Sequence, residues 1–187
     1  MPKIVPRVSF KVRSSNEFND GEICYIDGVN AWKDVSTEDL FKNKRVLVFS
    51  LPGAFTPTCS SQQLPGFEKS FVDLNLMGID EIYCISVNDS FVMNSWAHKL
   101  NVKNIKVIPD GNGQFTRLMG MLIDKSHLGF GMRSWRYAFI ANNLIIEKMF
   151  IEPGINDSGL DDDPYGETSP ENIINTLKNE TLSPSSS

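Results

Sequence analysis

The chain has 187 residues, 41% hydrophobic and 22% charged, a composition that fits one folded globular domain and excludes an intrinsically disordered chain. Its 18 basic and 23 acidic residues leave a net charge of −5 with no lysine/arginine run, which excludes the electrostatic footprint of a nucleic-acid binder. The apolar runs are strand-sized, as in Val46-Leu47-Val48-Phe49, and residues 1–7 carry neither a signal core nor a transit pattern, so a soluble, cytoplasmic protein without membrane contact is expected.

In chain order, β-rich pieces at residues 8–12 and 23–26, with the turn-forming Asn19-Asp20-Gly21 between them, predict an N-terminal β-hairpin. Ser36-Thr37-Glu38-Asp39 has the form of a capping box with Ser36 as N-cap, and Lys42, Lys44 and Arg45 suit the C-terminal end of the short helix after it. Residues 45–50 and 81–87 are near-continuous apolar runs of the buried-strand kind. Between them, residues 59–77 place Leu64, Phe67, Phe71 and Leu74 at helical spacing, with Gly78 as C-cap and Pro65 expected to kink the helix. This is a βαβ unit.

Residues 91–100 read as a further helix, 105–108 as a strand closed by Pro109-Asp110-Gly111, and 115–121 as another helix. The pattern then changes: residues 136–141 and 144–151 flank Asn142-Asn143, which predicts an antiparallel hairpin. Ser169-Pro170-Glu171 opens a last helix to about residue 178. The expected fold is α/β and thioredoxin-like, a mixed central sheet flanked by helices with an N-terminal β-hairpin extension. One domain over residues 1–182 and a disordered Ser/Pro-rich tail over 183–187 are expected.

The three cysteines, Cys24, Cys59 and Cys84, form no C-x-x-C and leave an odd thiol, so they suggest neither a disulfide framework nor a zinc site. His98 and His127 lack ligand-spaced neighbours, and no metal is implied. Asp161-Asp162-Asp163 lacks the spacing of a calcium loop and reads as a solvated segment. The informative stretch is Pro52-Gly53-Ala54-Phe55-Thr56-Pro57-Thr58-Cys59, from the end of a buried strand to the start of a helix. Thr56 fits the N-cap and Pro57 the first helical position, which puts Cys59 in the first turn, where unpaired amides favour a thiolate. A small buried structural cysteine is the competing reading. A cation would decide between them, and the candidates are Arg133 and Arg136, three positions apart and so facing opposite sides of an extended segment.

At these residues a resemblance becomes specific. Pro52, Thr56 and Cys59 match the P-x-x-x-T-x-x-C loop of peroxiredoxins. Leu64-Pro65-Gly66-Phe67, residues 85–89, Trp96, Pro109-Asp110-Gly111 and residues 133–137 resemble its peroxiredoxin-5 subfamily, also called type II or plant-like, and the likeness covers residues 4–180. The resemblance implies a thiol peroxidase that reduces hydrogen peroxide and organic hydroperoxides in antioxidant defence. Cys59 would be the peroxidatic cysteine, Thr56 the hydroxyl that positions the peroxide, Pro52 the ring that shields the pocket and Arg136 the guanidinium beside the thiolate. Arg133 is the second choice, holding the loop or a carboxylate such as Glu68. No cofactor is needed, because sulfur carries both electrons.

Some members resolve the sulfenic acid with a cysteine after the hairpin, but residues 152–160 contain none. Cys84 matches a second cysteine of plant-like members, yet its apolar strand predicts burial, so glutathione/glutaredoxin or thioredoxin is the expected reductant. A homodimer using exposed aromatics such as Phe55 is also implied. A non-enzymatic peroxide sensor or redox-relay binding protein would use the same residues, and turnover separates the two. Thr56, standing where a C-x-x-C partner would sit, disfavours a disulfide reductase.

Overall fold

A computed structural model describes residues 1–13, 32–155 and 163–182. Its centre is β3 (Arg45–Leu51), in which every residue from Val46 onward is buried. β4 (Glu81–Ser86) pairs with it in parallel, from Val46↔Glu81 to Leu51↔Ser86. On its other side β8 (Tyr137–Asn142) runs antiparallel. β5 (Lys106–Pro109) and β9 (Ile145–Ile151) form the edges, giving a mixed sheet in the order β5-β4-β3-β8-β9.

Because side chains alternate along a strand, β3 feeds two cores. Leu47, Phe49 and Leu51 meet Ile82 and Cys84 of β4 beneath α2 (Leu64–Leu76), α3 (Ser90–Lys99) and α5 (Pro170–Leu182), with Phe49 stacked on Phe67 at 4.1 Å between ring centroids. Val46 and Val48 meet Tyr83 and Ile85 on the opposite face, under α1 (Thr37–Phe41), α4 (Gln114–Leu118) and Phe10 of β1 (Ser9–Arg13). Burying a phenylalanine in either layer contributes about 1.5–3 kcal/mol, so the sheet is anchored from both sides.

The expected thioredoxin-like architecture is present, with particular differences. β1 pairs with β2 (Trp32–Ser36), in register Ser9↔Ser36. Residues 23–26 and their turn, like residues 183–187, lie outside the described residues. The capping box at Ser36 forms, with Ser36 and Asp39 bonding reciprocally. The helix ends at Phe41, however: Lys42 is its C-cap and Arg45 already belongs to β3, paired with Glu147.

Gly78, at φ +91°, ends α2 in a Schellman arrangement, its N–H donating to the Asn75 carbonyl and that of Ile79 to Leu74. In the β8–β9 hairpin the two left-handed residues are Asn143 and Leu144, one position later than expected, because Asn142 still pairs with Ile145. The last helix continues to Leu182. A small antiparallel pair, β6 (Leu122–Asp124) with β7 (Met132–Ser134), had no clear sequence signal, being three residues a side.

Before α2 the chain does not simply kink at Pro65. Residues 59–63 form a wide π-type turn in which the Leu64 N–H reaches back to the Cys59 carbonyl. Proline cannot donate the α-helical bond expected at 65, and the widened turn directly before it places the irregularity there.

Candidate active site

The loop at residues 52–56 leaves the carboxyl end of β3 beside that of β4, the end of a parallel pair where ligand sites collect. Pro52 comes directly after β3 and is half-buried. Gly53 is tightly walled: a Cβ there would stand 3.0 Å from the Arg133 guanidinium, which would have to give way. The Ala54 N–H donates to Asn88 Oδ1 at 3.0 Å, and Ser86 donates to the same oxygen at 2.7 Å, so the end of β4 holds the loop in place. Phe55 adopts a left-handed φ of +64° and projects outward, 48% exposed. The helix begins at Pro57 and the Thr56 carbonyl accepts from Ser60, as an N-cap residue should. The Thr56 hydroxyl does not cap, though: it donates to the Gly53 carbonyl at 2.7 Å.

Cys59 is 99% buried where the π-type turn opens. Arg136, immediately before β8, is equally buried and aims Nη1 at Cys59 Sγ, 3.5 Å away. The same nitrogen donates to Gln63 Oε1, and Nη2 pairs with Asp163. Burial works against the guanidinium charge, but the charges of Cys59 and Asp163 outweigh it and raise the arginine pKa above its ordinary value. Tyr165 covers the guanidinium, its ring centroid 5.7 Å from Cζ, and burial, with Glu171 second, pushes its phenol up to about 12. A buried thiol against a permanent cation suits attack by sulfur on an electrophile.

The Redoxin family matches residues 22–164 of this chain. A peroxiredoxin of Rhizobium etli is 52% identical over 178 residues, covering 95% of this chain and 96% of the relative. The chain belongs to the peroxiredoxin family. Among solved structures, the Plasmodium falciparum antioxidant protein, a 1-Cys peroxiredoxin, superposes with a TM-score of 0.80 at 38% identity over 94% of this chain and 96% of the other. Reduced Prx3 of Vibrio vulnificus in complex with hydrogen peroxide does so with a TM-score of 0.79 at 28% identity over 96% of each chain. This peroxiredoxin is therefore a thiol-dependent peroxidase, an oxidoreductase that takes peroxide as its acceptor and a thiol as its reductant.

Of the two candidate arginines of this peroxiredoxin, Arg136 reaches Cys59. Arg133 turns away, donating to the carbonyls of Val87 at 3.2 Å and Phe130 at 3.1 Å, and walls the loop at Gly53. It makes no pair with Glu68, whose carboxylate accepts the backbone N–H groups of Lys103, Asn104 and Ile105. Asp163, read from sequence as part of a solvated run, is exposed and pairs with the buried Arg136. Gln63 also escaped the sequence reading: its amide is an ordinary helix residue until the wide turn brings it beside Arg136.

Cys84 lies fully buried in the same core layer as Cys59. Burial first, and the charge of Cys59 second, raise its thiol pKa well above the ordinary value. Cys24 lies outside the described residues. Among the described residues no cluster of His, Cys, Asp and Glu could hold a metal ion, and no helix is long and apolar enough to cross a membrane.

Proposed function

We propose that Cys59 is the peroxidatic thiol of this enzyme and that Arg136, Thr56 and Pro52 form its peroxide pocket. The observation that carries this is the 3.5 Å approach of Arg136 Nη1 to Cys59 Sγ, both side chains out of water. The thiolate attacks one peroxide oxygen and the O–O bond breaks. The departing oxygen takes the electron pair and a proton and leaves as alcohol or water, and sulfur retains the other oxygen as sulfenic acid.

Charge thus moves from sulfur to the leaving oxygen, beside donors already in position. Arg136 Nε is buried with no partner among the described residues, and so is a donor available to that oxygen. The Thr56 hydroxyl, its hydrogen engaged by Gly53, turns lone pairs to the pocket and suits the peroxide O–H as an acceptor. Hydrogen peroxide and organic hydroperoxides are the substrates of this reading, and the Vibrio vulnificus enzyme was solved with hydrogen peroxide bound.

Recycling takes a one-cysteine scheme. Residues 152–168 contain no cysteine, and Cys84 is locked in β4. An external thiol condenses with the sulfenic acid, releasing water and leaving a mixed disulfide that a second thiol reduces. Glutathione with glutaredoxin is the preferred donor and thioredoxin the competitor. The reading includes a cytoplasmic homodimer that buries exposed hydrophobic side chains such as Phe55.

The test is peroxide consumption with each reductant. Turnover should be sustained by glutathione plus glutaredoxin and lost in Cys59→Ser, and peroxide consumption that persists in Cys59→Ser overturns the assignment.

A further inference from the structure

We infer that Asp163 is a positioning residue for Arg136, mounted on the active site through Glu152, an inference that rests on the role proposed for Arg136. A guanidinium on a long side chain donates well to sulfur only if its plane is fixed. Here it is gripped at both ends: Nη1 bonds Cys59 Sγ and Gln63 Oε1, and Nη2 bonds Asp163 Oδ1. The partners differ in exposure, 1% for the arginine and 49% for the aspartate, so the carboxylate closes a dry cation from the wet side.

The mounting of Asp163 supports a specific arrangement. Glu152 is 98% buried, and its backbone N–H donates to the Arg136 carbonyl at 3.2 Å. Its carboxylate gathers the N–H groups of Gly166 at 2.7 Å, Glu167 at 3.2 Å and Thr168 at 2.9 Å, with the Thr168 hydroxyl at 2.9 Å. One residue therefore ties Arg136 to the segment carrying Asp163 and Tyr165. The pair also matters after chemistry. When the thiolate becomes a neutral sulfenic acid, Arg136 loses one of its two charge partners. Asp163 then keeps the buried cation compensated, and leaving that cation unpaired in an apolar site would be costly.

Among the described residues, the charged and titratable groups that interact with Cys59 are Arg136, Cys84 from β4 and Tyr165 from the segment before α5, with Asp163 acting on Arg136 and Glu152 and Glu171 acting on Tyr165. Two opposite effects of removing Asp163 can be told apart. If it acts only as a negative charge, its loss makes the thiolate easier to form. If it positions Arg136, its loss lets Nη1 leave sulfur and makes the thiolate harder to form.

The experiment is the pH dependence of iodoacetamide alkylation at Cys59 in the full chain, read by peptide mass mapping, with stopped-flow rates of peroxide reaction. Asp163→Ala should move the alkylation midpoint upward by about one pH unit and slow peroxide reaction about tenfold at neutral pH. Asp163→Glu should restore both, and Glu152→Gln, if it folds, should shift them the same way by less. An unchanged or lowered midpoint in Asp163→Ala overturns the inference. Arg136→Met separates the layers: if it changes neither quantity, the role of Arg136 fails and this inference with it. If it changes both while Asp163→Ala changes neither, only the positioning role of Asp163 fails.

Discussion

Cys59 and Cys84 sit in one core layer, 1% and 0% exposed, and by accessibility alone they are the same residue. Their surroundings differ. Cys84 stands mid-strand in β4 opposite Phe49, where desolvation keeps its proton on. Cys59 opens a helix whose first turn is widened, with a guanidinium 3.5 Å from its sulfur. Burial therefore does not make a thiol inert; burial without a charge partner does.

The largest expected effect tests this contrast outright. Cys59→Ser should abolish turnover, whereas Cys84→Ser should retain turnover supported by glutathione and glutaredoxin. A dominant Cys59–Cys84 disulfide after peroxide treatment, together with loss of turnover in Cys84→Ser, would erase the distinction. Next, Arg136→Met should slow sulfenic-acid formation about 10²–10³-fold in stopped-flow measurements, the usual loss when one preorganised donor is removed. Thr56→Val should lower the same rate in the same direction.

A smaller effect is expected at Gln63, which is fully buried beside Arg136. Gln63→Met keeps the volume but removes the acceptor, and loss of a hydrogen bond to a charged group, about 1.5–3 kcal/mol, sets a ceiling of roughly 10- to 150-fold on the fall in the peroxide rate constant. The smallest effect belongs to Cys84. Its folded pKa is raised above the unfolded value, so its contribution to stability is complete below about pH 8.5 and declines as pH rises beyond that, where the unfolded chain releases a proton the folded chain keeps. Chemical denaturation between pH 7 and 10 should show a shallower alkaline decline in Cys84→Ala than in the parent protein.

The sheet was legible because β3, β4, β8 and β9 are written as apolar runs bounded by turn residues, and the position of Cys59 because Thr56-Pro57 marks a helix start. The arginine was legible only as a choice of two. Alternation along an extended segment separates the faces of Arg133 and Arg136 without saying which face meets the thiol, and that depends on β8 lying beside β3. The partner of Asp163 was missed because three consecutive aspartates read only as solvated, and nothing local reports a buried cation 27 residues earlier. Glu152 was illegible for the same reason: three of its partners are backbone amides of residues 166–168, which carry no side-chain signature, and the fourth, the Thr168 hydroxyl, lies 16 residues away. The hairpin turn slipped by one residue because Asn142-Asn143 and Asn143-Leu144 both contain an asparagine able to take positive φ, while Leu144 is an uncommon left-handed residue.

The widened turn at residues 59–63 sets the clock angle of Cys59. An α-helix advances about 100° per residue, so one residue accommodated in a π-type turn is a fixed azimuthal offset between the segments on its two sides. Phe67 and Leu74 dictate how α2 sits on the sheet; the extra residue dictates where around that axis Cys59 points. A substitution that lets all of residues 59–63 wind as regular α-helix with α2 still docked would rotate the sulfur by roughly a quarter turn, away from Arg136. Such a variant would keep its circular dichroism and lose its peroxide reaction, a folded scaffold with its hour hand misplaced.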